Sequence, residues 1–248
     1  MEKAKLNVTH VIFDLDGLLL DSEGIYTDVN NKVMEKWGKK FTLDLKPLTM
    51  GRSHKEAIEL MIEKASLLIS SVILFQIVGL KGIVTFGEYE EVYNKLLLEA
   101  LPGAPLMPGA LRLVRHLAKH HVPMAICTGS RFEEFRMKVK NHKELTELIP
   151  LHVASSDDPE IKRCKPHPDP FLVTMKRFEN PPSDASKVVV FEDAPNGVIA
   201  AVEAGMKVIM VPDTTYSSPP EQVADRITQV LKSLEDFHPE SLGLPPFD

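Results

Sequence analysis

The chain has 248 residues, 44% hydrophobic and 26% charged, ordinary globular usage that excludes a disordered, collagen-like or low-complexity protein. A net charge of −6 gives no basic footprint for nucleic acid. The two cysteines, Cys127 and Cys164, form neither a disulfide framework nor a zinc pattern, and fit a reducing compartment, here the cytoplasm.

The N-terminal stretch carries early charges and does not read as a signal peptide. The first apolar run, His10–Asp14, predicts a strand. About a hundred residues then pass before the next strand. Three helices fill the interval, over Tyr26–Trp37, Ser53–Lys64 and Glu88–Ala100. That is too much ordered chain for a crossover loop, so residues 22–104 are expected to form a helical cap domain inserted into a core of residues 1–21 and 105–248. Inside it, residues 65–80 form an unusual uncharged insertion. Its sixteen residues fall short of the roughly 20 a bilayer span needs, and a span would separate Asp14 from Thr128. Pro102–Pro108 is the expected return linker.

A helix over Gly109–His121 follows, with Leu113, Val114 and Leu117 as its apolar stripe. His116 and His120 are read as lying off that stripe on a solvated face. Strands are predicted at Val122–Cys127, Leu151–Ala154, Lys187–Phe191 and Lys207–Val211, with helices at Asp169–Phe178 and Asn196–Ala204, the latter stopped by Gly205. The strands are continuously apolar, as in a sheet covered on both faces. Alternation with helices predicts an α/β fold with a Rossmann-like parallel sheet.

In such a sheet ligands bind beyond the carboxyl ends of the strands, and the chemistry-bearing residues collect there. After the first strand come Asp14 and Asp16, two residues apart and so on one side of extended backbone. Two adjacent acids suit a cation site, or a nucleophile beside an acid/base. After the second come Thr128, Gly129 and Ser130, a hydroxyl-bearing turn able to hold phosphate oxygens. Lys165-Pro166-His167-Pro168 follows the third and fixes one lysine in a stiff loop, next to Cys164, which is read as an inert thiol. Glu192-Asp193 follows the fourth as a second acidic pair. Each has an ordinary structural explanation alone. Four such groups at successive strand ends of one sheet match phosphoryl transfer, where positioning and charge neutralisation supply most of the rate.

These motifs, Asp14-Leu15-Asp16-Gly17-Leu18-Leu19-Leu20-Asp21-Ser22, Thr128-Gly129-Ser130, Lys165-Pro166 and Glu192-Asp193-Ala194-Pro195-Asn196-Gly197, resemble in order and spacing the haloacid dehalogenase superfamily of phosphatases, in its β-phosphoglucomutase-like branch with a mobile helical cap. The resemblance implies that Asp14 is the nucleophile that becomes an aspartyl phosphate. Asp16 is then the acid/base, Thr128 the phosphoryl ligand and Lys165 the charge balance. It implies Mg²⁺ held by Asp14, the Asp16 backbone carbonyl and Asp193, with Glu192 in its outer shell. Gly129 and Ser130 would cradle phosphate. Arg52, in the cap loop Gly51-Arg52-Ser53, either opens a helix or touches substrate. His167 replaces an acid common in close relatives, with a mild effect.

The stretches Phe13–Asp21, Leu106–Ala110, Val190–Val198 and Gly243–Pro246 resemble the animal pseudouridine-5′-phosphatase group. The expected activity is therefore Mg²⁺-dependent hydrolysis of a small sugar or nucleoside phosphate, pseudouridine 5′-phosphate first, by a monomer with no membrane span. Two alternatives stay open: a sugar-phosphate mutase with the same motifs, and a catalytically weak phosphate-binding protein whose cap is damaged by the 65–80 insertion.

Overall fold

The computed structural model describes residues 7–41 and 83–248, with Lys55, Ile58, Glu59 and Ile62, all four helical, between them. Arg52, the rest of the predicted Ser53–Lys64 helix and the uncharged run 65–80 lie outside the described residues. Six strands are present: β1 (His10–Phe13), β2 (Met124–Thr128), β3 (Leu151–Ala154), β4 (Val188–Glu192), β5 (Lys207–Met210) and the short β6 (Gln229–Val230). They form one sheet in the order β3-β2-β1-β4-β5-β6, every pair parallel. This is the Rossmann-like α/β sheet that the alternation predicts.

Side chains alternate between two buried layers, as strand geometry requires. Val11, Phe13, Ile126, Val189, Phe191 and Ile209 face one cluster. Ile12, Ala125, Cys127, Val190, Val208 and Met210 face the other. The first is covered by α3 (Ala110–Lys119) and by a C-terminal strap that contributes Leu234, Phe237, Leu242 and Leu244. The second is covered by α6 (Asp169–Lys176) and α7 (Pro195–Glu203). Two further short helices, α4 (Phe132–Lys138) and α5 (Lys143–Leu148), lie between β2 and β3 on the chain path and carry Phe135 and Leu145 into the first layer.

The strand ends shift slightly from the predicted bounds. β2 runs on to Thr128 because Thr128 pairs with Ala154, and β4 runs on to Glu192 because Glu192 pairs with Met210. His116 requires a correction. It is buried, its Nε2 donates to the Pro245 carbonyl at 2.9 Å and its ring packs on Phe247. Position 116 is i+3 from Leu113, on the same helix face, and the C-terminal strap folds over it.

Helices α1 (Glu23–Glu35) and α2 (Phe86–Ala100) pack on each other around a third apolar cluster of Val29, Val33, Met34, Tyr89, Tyr93 and Leu97. The Tyr89 hydroxyl donates to Asn30 inside it at 3.0 Å. α2 starts at a full capping box, Thr85 with Glu88. The two chain segments joining these helices to the sheet run side by side. Asp21 N–H donates to Pro105, Met107 N–H donates to Leu19, and Leu20 bridges Leu106. No helix among the described residues is long and apolar enough to cross a membrane.

Candidate active site

The strand order leaves β1 in the centre. The chain moves outward through β2 and β3 on one side and through β4 to β6 on the other. The crevice beside β1 is therefore the topological switch point, where ligands bind in open parallel sheets. Phe13 is level with Ile126 and with Phe191. Asp14, one residue on, emerges between the ends of β2 and β4, its N–H bonded to the Phe191 carbonyl at 3.0 Å.

Lys165 reaches this point from the loop after β3. Its buried ammonium donates to Asp14 Oδ1 at 2.6 Å, Glu192 Oε1 at 2.6 Å and the Cys127 carbonyl at 3.2 Å. Asp193 completes a group of three buried carboxylates whose oxygens, one from each, lie within 4.8 Å of one another. Burial pushes Asp14 up, against the pull of Lys165. It pushes Glu192 up to about 7, and it raises Asp193 strongly, with Glu192 and Asp14 adding repulsion. Burial also works against the charge of Lys165, but Asp14 and Glu192 outweigh it and hold the lysine charged. Three carboxylates around one lysine are a donor set short of positive charge, with hard oxygen ligands of the kind divalent cations take.

Two glycines let these acids approach. A Cβ on Gly17, whose φ is +75°, would sit 2.3 Å from Asp193 Oδ2. A Cβ on Gly197 would sit 1.7 Å from Glu192 Oε1. Gly197→Ala is therefore expected to displace the Glu192 carboxylate and its bond to Lys165. Loss of an outer-shell partner typically costs about 10–100-fold, and a fall of that size in kcat/KM for p-nitrophenyl phosphate is expected. Wild-type kinetics in the folded variant would show that the approach does not matter.

Asp16 faces a different set of groups. Its Oδ1 accepts from Ser22 at 2.5 Å, and its Oδ2 accepts from Thr128 at 3.2 Å, Ser130 at 3.0 Å and Lys138 at 2.6 Å. Burial alone would raise this carboxyl, but Lys138, Ser22 and Ser130 together hold it below the usual carboxylate range. The structure thus brings together Asp14, Asp16, Thr128, Ser130, Lys165, Glu192 and Asp193. Ser130 differs from expectation in one respect: its hydroxyl is engaged by Asp16 and Lys138, and its N–H by Thr128 Oγ1. Gly129 is half-buried at the same turn.

Sequence reasoning misses Lys138, and it misses that Ser22, the last residue of the first motif, bonds Asp16. Ser22 stands just before α1. Lys138 is fully buried at the end of α4, on one helix face with Glu134 and Phe135, which are also buried. That i, i+1, i+4 spacing was the available sign that this lysine points inward.

The family model described as haloacid dehalogenase-like hydrolase matches residues 11–211. The chain belongs to that family. As a haloacid dehalogenase-like hydrolase it is 41% identical, over 98% of its length and 94% of the relative's, to (DL)-glycerol-3-phosphatase 2 of Arabidopsis thaliana. It is 39% identical, over 99% of its length and 98% of the relative's, to the probable pseudouridine-5′-phosphatase of Drosophila melanogaster. Its fold matches that of CbbY from Rhodobacter sphaeroides in complex with phosphate, with a TM-score of 0.71, 17% identity and coverage of 92% of this chain and 96% of that one. This haloacid dehalogenase-like hydrolase is a phosphatase.

Proposed function

We propose that the chain hydrolyses small phosphomonoesters through a phosphoryl group carried on Asp14, with Mg²⁺ as its metal. The observation that carries this is the pair of 2.6 Å bonds by which one buried lysine joins Asp14 to Glu192, with Asp193 beside them. The donor set fits a hard divalent cation. Asp14, Asp193 and the Asp16 backbone carbonyl would hold it. Glu192 would act at one remove, because Lys165 and the Ala194 N–H already occupy its oxygens. When bound, the ion would polarise the phosphoryl oxygens and offset the charge of the carboxylates.

The protein's own groups then divide the work. Asp14 forms the new O–P bond as the ester O–P bond breaks, and Lys165 fixes its carboxylate and balances its charge. Asp16 gives a proton to the leaving oxygen when its carboxyl is protonated, against the pull of Lys138 that favours the carboxylate. In the second half it takes a proton from the water whose oxygen bonds to phosphorus as the Asp14–phosphoryl bond breaks. Thr128, with the turn at Gly129 and Ser130, lies beside the transferring group. Residues 22–104 act as the cap over this site, with residues 1–21 and 105–248 as the core, and closure of the cap would limit bulk water. Arg52 belongs to that cap and is proposed as a substrate contact.

The substrate is proposed to be a small sugar, polyol or nucleoside phosphate. Pseudouridine 5′-phosphate is the expectation from the sequence motifs, and the 41% identity to a glycerol-3-phosphatase favours glycerol 3-phosphate as a second candidate. The two cysteines form no disulfide, which fits a cytoplasmic protein, and the net charge of −6 fits one that does not bind nucleic acid. We take the protein as a monomer. The test is phosphate release from a panel of both candidates, uridine 5′-phosphate and hexose 6-phosphates, with Mg²⁺ and with EDTA. Mg²⁺-dependent release without an added bisphosphate is expected, with one substrate preferred. Release from none of them would overturn the reading, and turnover only with a bisphosphate activator would mark a mutase.

A further inference from the structure

We infer that His116, His120 and Asp248 form a second metal site, one that takes a late transition ion such as Zn²⁺ and ties the C-terminal strap to α3. Residues 116 and 120 are one helical turn apart, so their rings stand side by side, with centres 4.7 Å apart. Asp248 comes back over them from the far end of the chain. One ligand atom from each of the three lies within 4.8 Å of the other two. α3 ends shortly before β2 begins, so this cluster sits toward the amino-terminal edge of the sheet. Asp14, Glu192 and Asp193 lie at the carboxyl-terminal edge, and the two groups share no residue.

The His116 ring is oriented as a ligand is. It is buried, and its Nε2–H donates to the Pro245 carbonyl at 2.9 Å, which leaves the lone pair on Nδ1. A ring N–H fixed on a backbone carbonyl is the usual support of a metal-bound histidine. His120 Nε2 is a buried atom with no hydrogen-bond partner, although its side chain as a whole is 31% exposed. It faces Asp248 Oδ1 at 4.0 Å, too far for a hydrogen bond. Two ligands of one tetrahedral zinc, each about 2.1 Å from the ion, stand about 3.4 Å apart. Asp248 would have to move in by only about 0.6 Å, and its side chain is 62% exposed and able to do so. Its other oxygen accepts from Lys119, whose charge opposes a cation. That lysine is itself 64% exposed and can turn to water.

The donor set selects the ion. Imidazole nitrogens suit Zn²⁺, Cu²⁺ and Ni²⁺, whereas Mg²⁺ takes oxygen ligands. With three protein ligands the fourth position falls to water, which the exposed part of His120 admits. The role that follows is a clamp. The ion would fix residues 245–248 on α3 and so hold the strap, whose Leu242 and Leu244 are buried in the first apolar layer.

The test titrates Zn²⁺ into the untagged 248-residue chain in excess Mg²⁺, by calorimetry. One equivalent is expected to bind. Removing only a supporting partner of a metal ligand costs about 10–100-fold in affinity. His120→Gln, which removes a ligand, is therefore expected to weaken Zn²⁺ binding by at least about 100-fold, and Asp248→Asn by at least about 10-fold. Zn²⁺ at a hundredfold excess over Kd should raise the Tm of wild type by about 5 °C or more, with no rise in His120→Gln at the same concentration. Co²⁺ should give the intense visible bands of a four-coordinate, nitrogen-ligated ion. Mg²⁺-supported phosphatase activity should be equal in all three proteins.

The comparison stands apart from the active-site reading, because the variants differ from wild type only at this cluster. No Zn²⁺ bound in excess Mg²⁺, or Zn²⁺ bound equally tightly by wild type and both variants, would overturn the inference. So would a sulfur-to-cobalt band, which would place the ion on a cysteine. A loss in His120→Gln alone would remove Asp248 from the site and with it the clamp. Should His120→Gln not fold, Asp248→Asn, at an exposed position, decides the matter.

Discussion

Replacing Asp14 by Asn is expected to lower kcat by about four orders of magnitude or more on every substrate, alkyl or aryl, because the nucleophile is used whatever leaves. The change is nearly isosteric and Asp14 sits at the end of a strand buried on both faces, so the fold should persist. It also removes one charge from a crowded group of three carboxylates while Lys165 keeps Glu192. Thermal stability without metal should therefore hold or rise. Phosphate release and a circular-dichroism melt check both halves. Residual activity within about tenfold of wild type, against the loss expected for a nucleophile, would remove Asp14 from that role.

Withdrawing the metal is expected to have the second largest effect: EDTA should abolish turnover and make stability depend on pH in a defined direction. Glu192 is pushed up to about 7 by burial, and Asp14 and Asp193 are raised by burial as well. Each of these acids holds its proton more tightly folded than unfolded. Between the ordinary carboxylate range and these raised values the folded state binds more protons, so the metal-free stability these acids contribute is present at low pH and is lost as pH rises, for Glu192 through about 7. Asp16, lowered, acts only below the ordinary range, and Lys165, raised, only in the alkaline range. Mg²⁺ binds the deprotonated acids, and at a hundredfold excess over Kd it contributes about 2.7 kcal/mol. The rise in Tm on adding Mg²⁺ should therefore be small near pH 5 and large near pH 8. A rise that is flat, or largest at acid pH, would contradict the cation assignment.

How far the sequence alone led varies from element to element. β1, β2, β4 and β5 are largely apolar runs, and their burial on both faces leaves little else for them to be. Asp14, Thr128, Lys165 and Glu192-Asp193 could be read because parallel topology sends every strand's carboxyl end to one edge. β6 could not: its two residues are half-buried and exposed, and only pairing with β5 defines it. The burial of His116 is not legible in its own helix, because the strap that covers it, Pro245 to Phe247, comes from the far end of the chain. The burial of Lys138 is hidden from local pattern for the same reason. Its partner Asp16 lies on another element, and a lysine ending a short helix ordinarily points to water. Local pattern reveals which residues are apolar together, but not which distant carboxylate turns a lysine inward.

The most direct test of the account is to trap the phosphoryl group. A steady-state reaction is quenched in acid and reduced with borohydride, which converts an aspartyl phosphate to homoserine, and the peptides are mapped by mass spectrometry. Homoserine at position 14, absent without substrate and absent from Asp14→Asn, is the predicted result. Active turnover with no homoserine at position 14, or with it at Asp16 or Asp193 instead, would remove Asp14 as the carrier of the phosphoryl group.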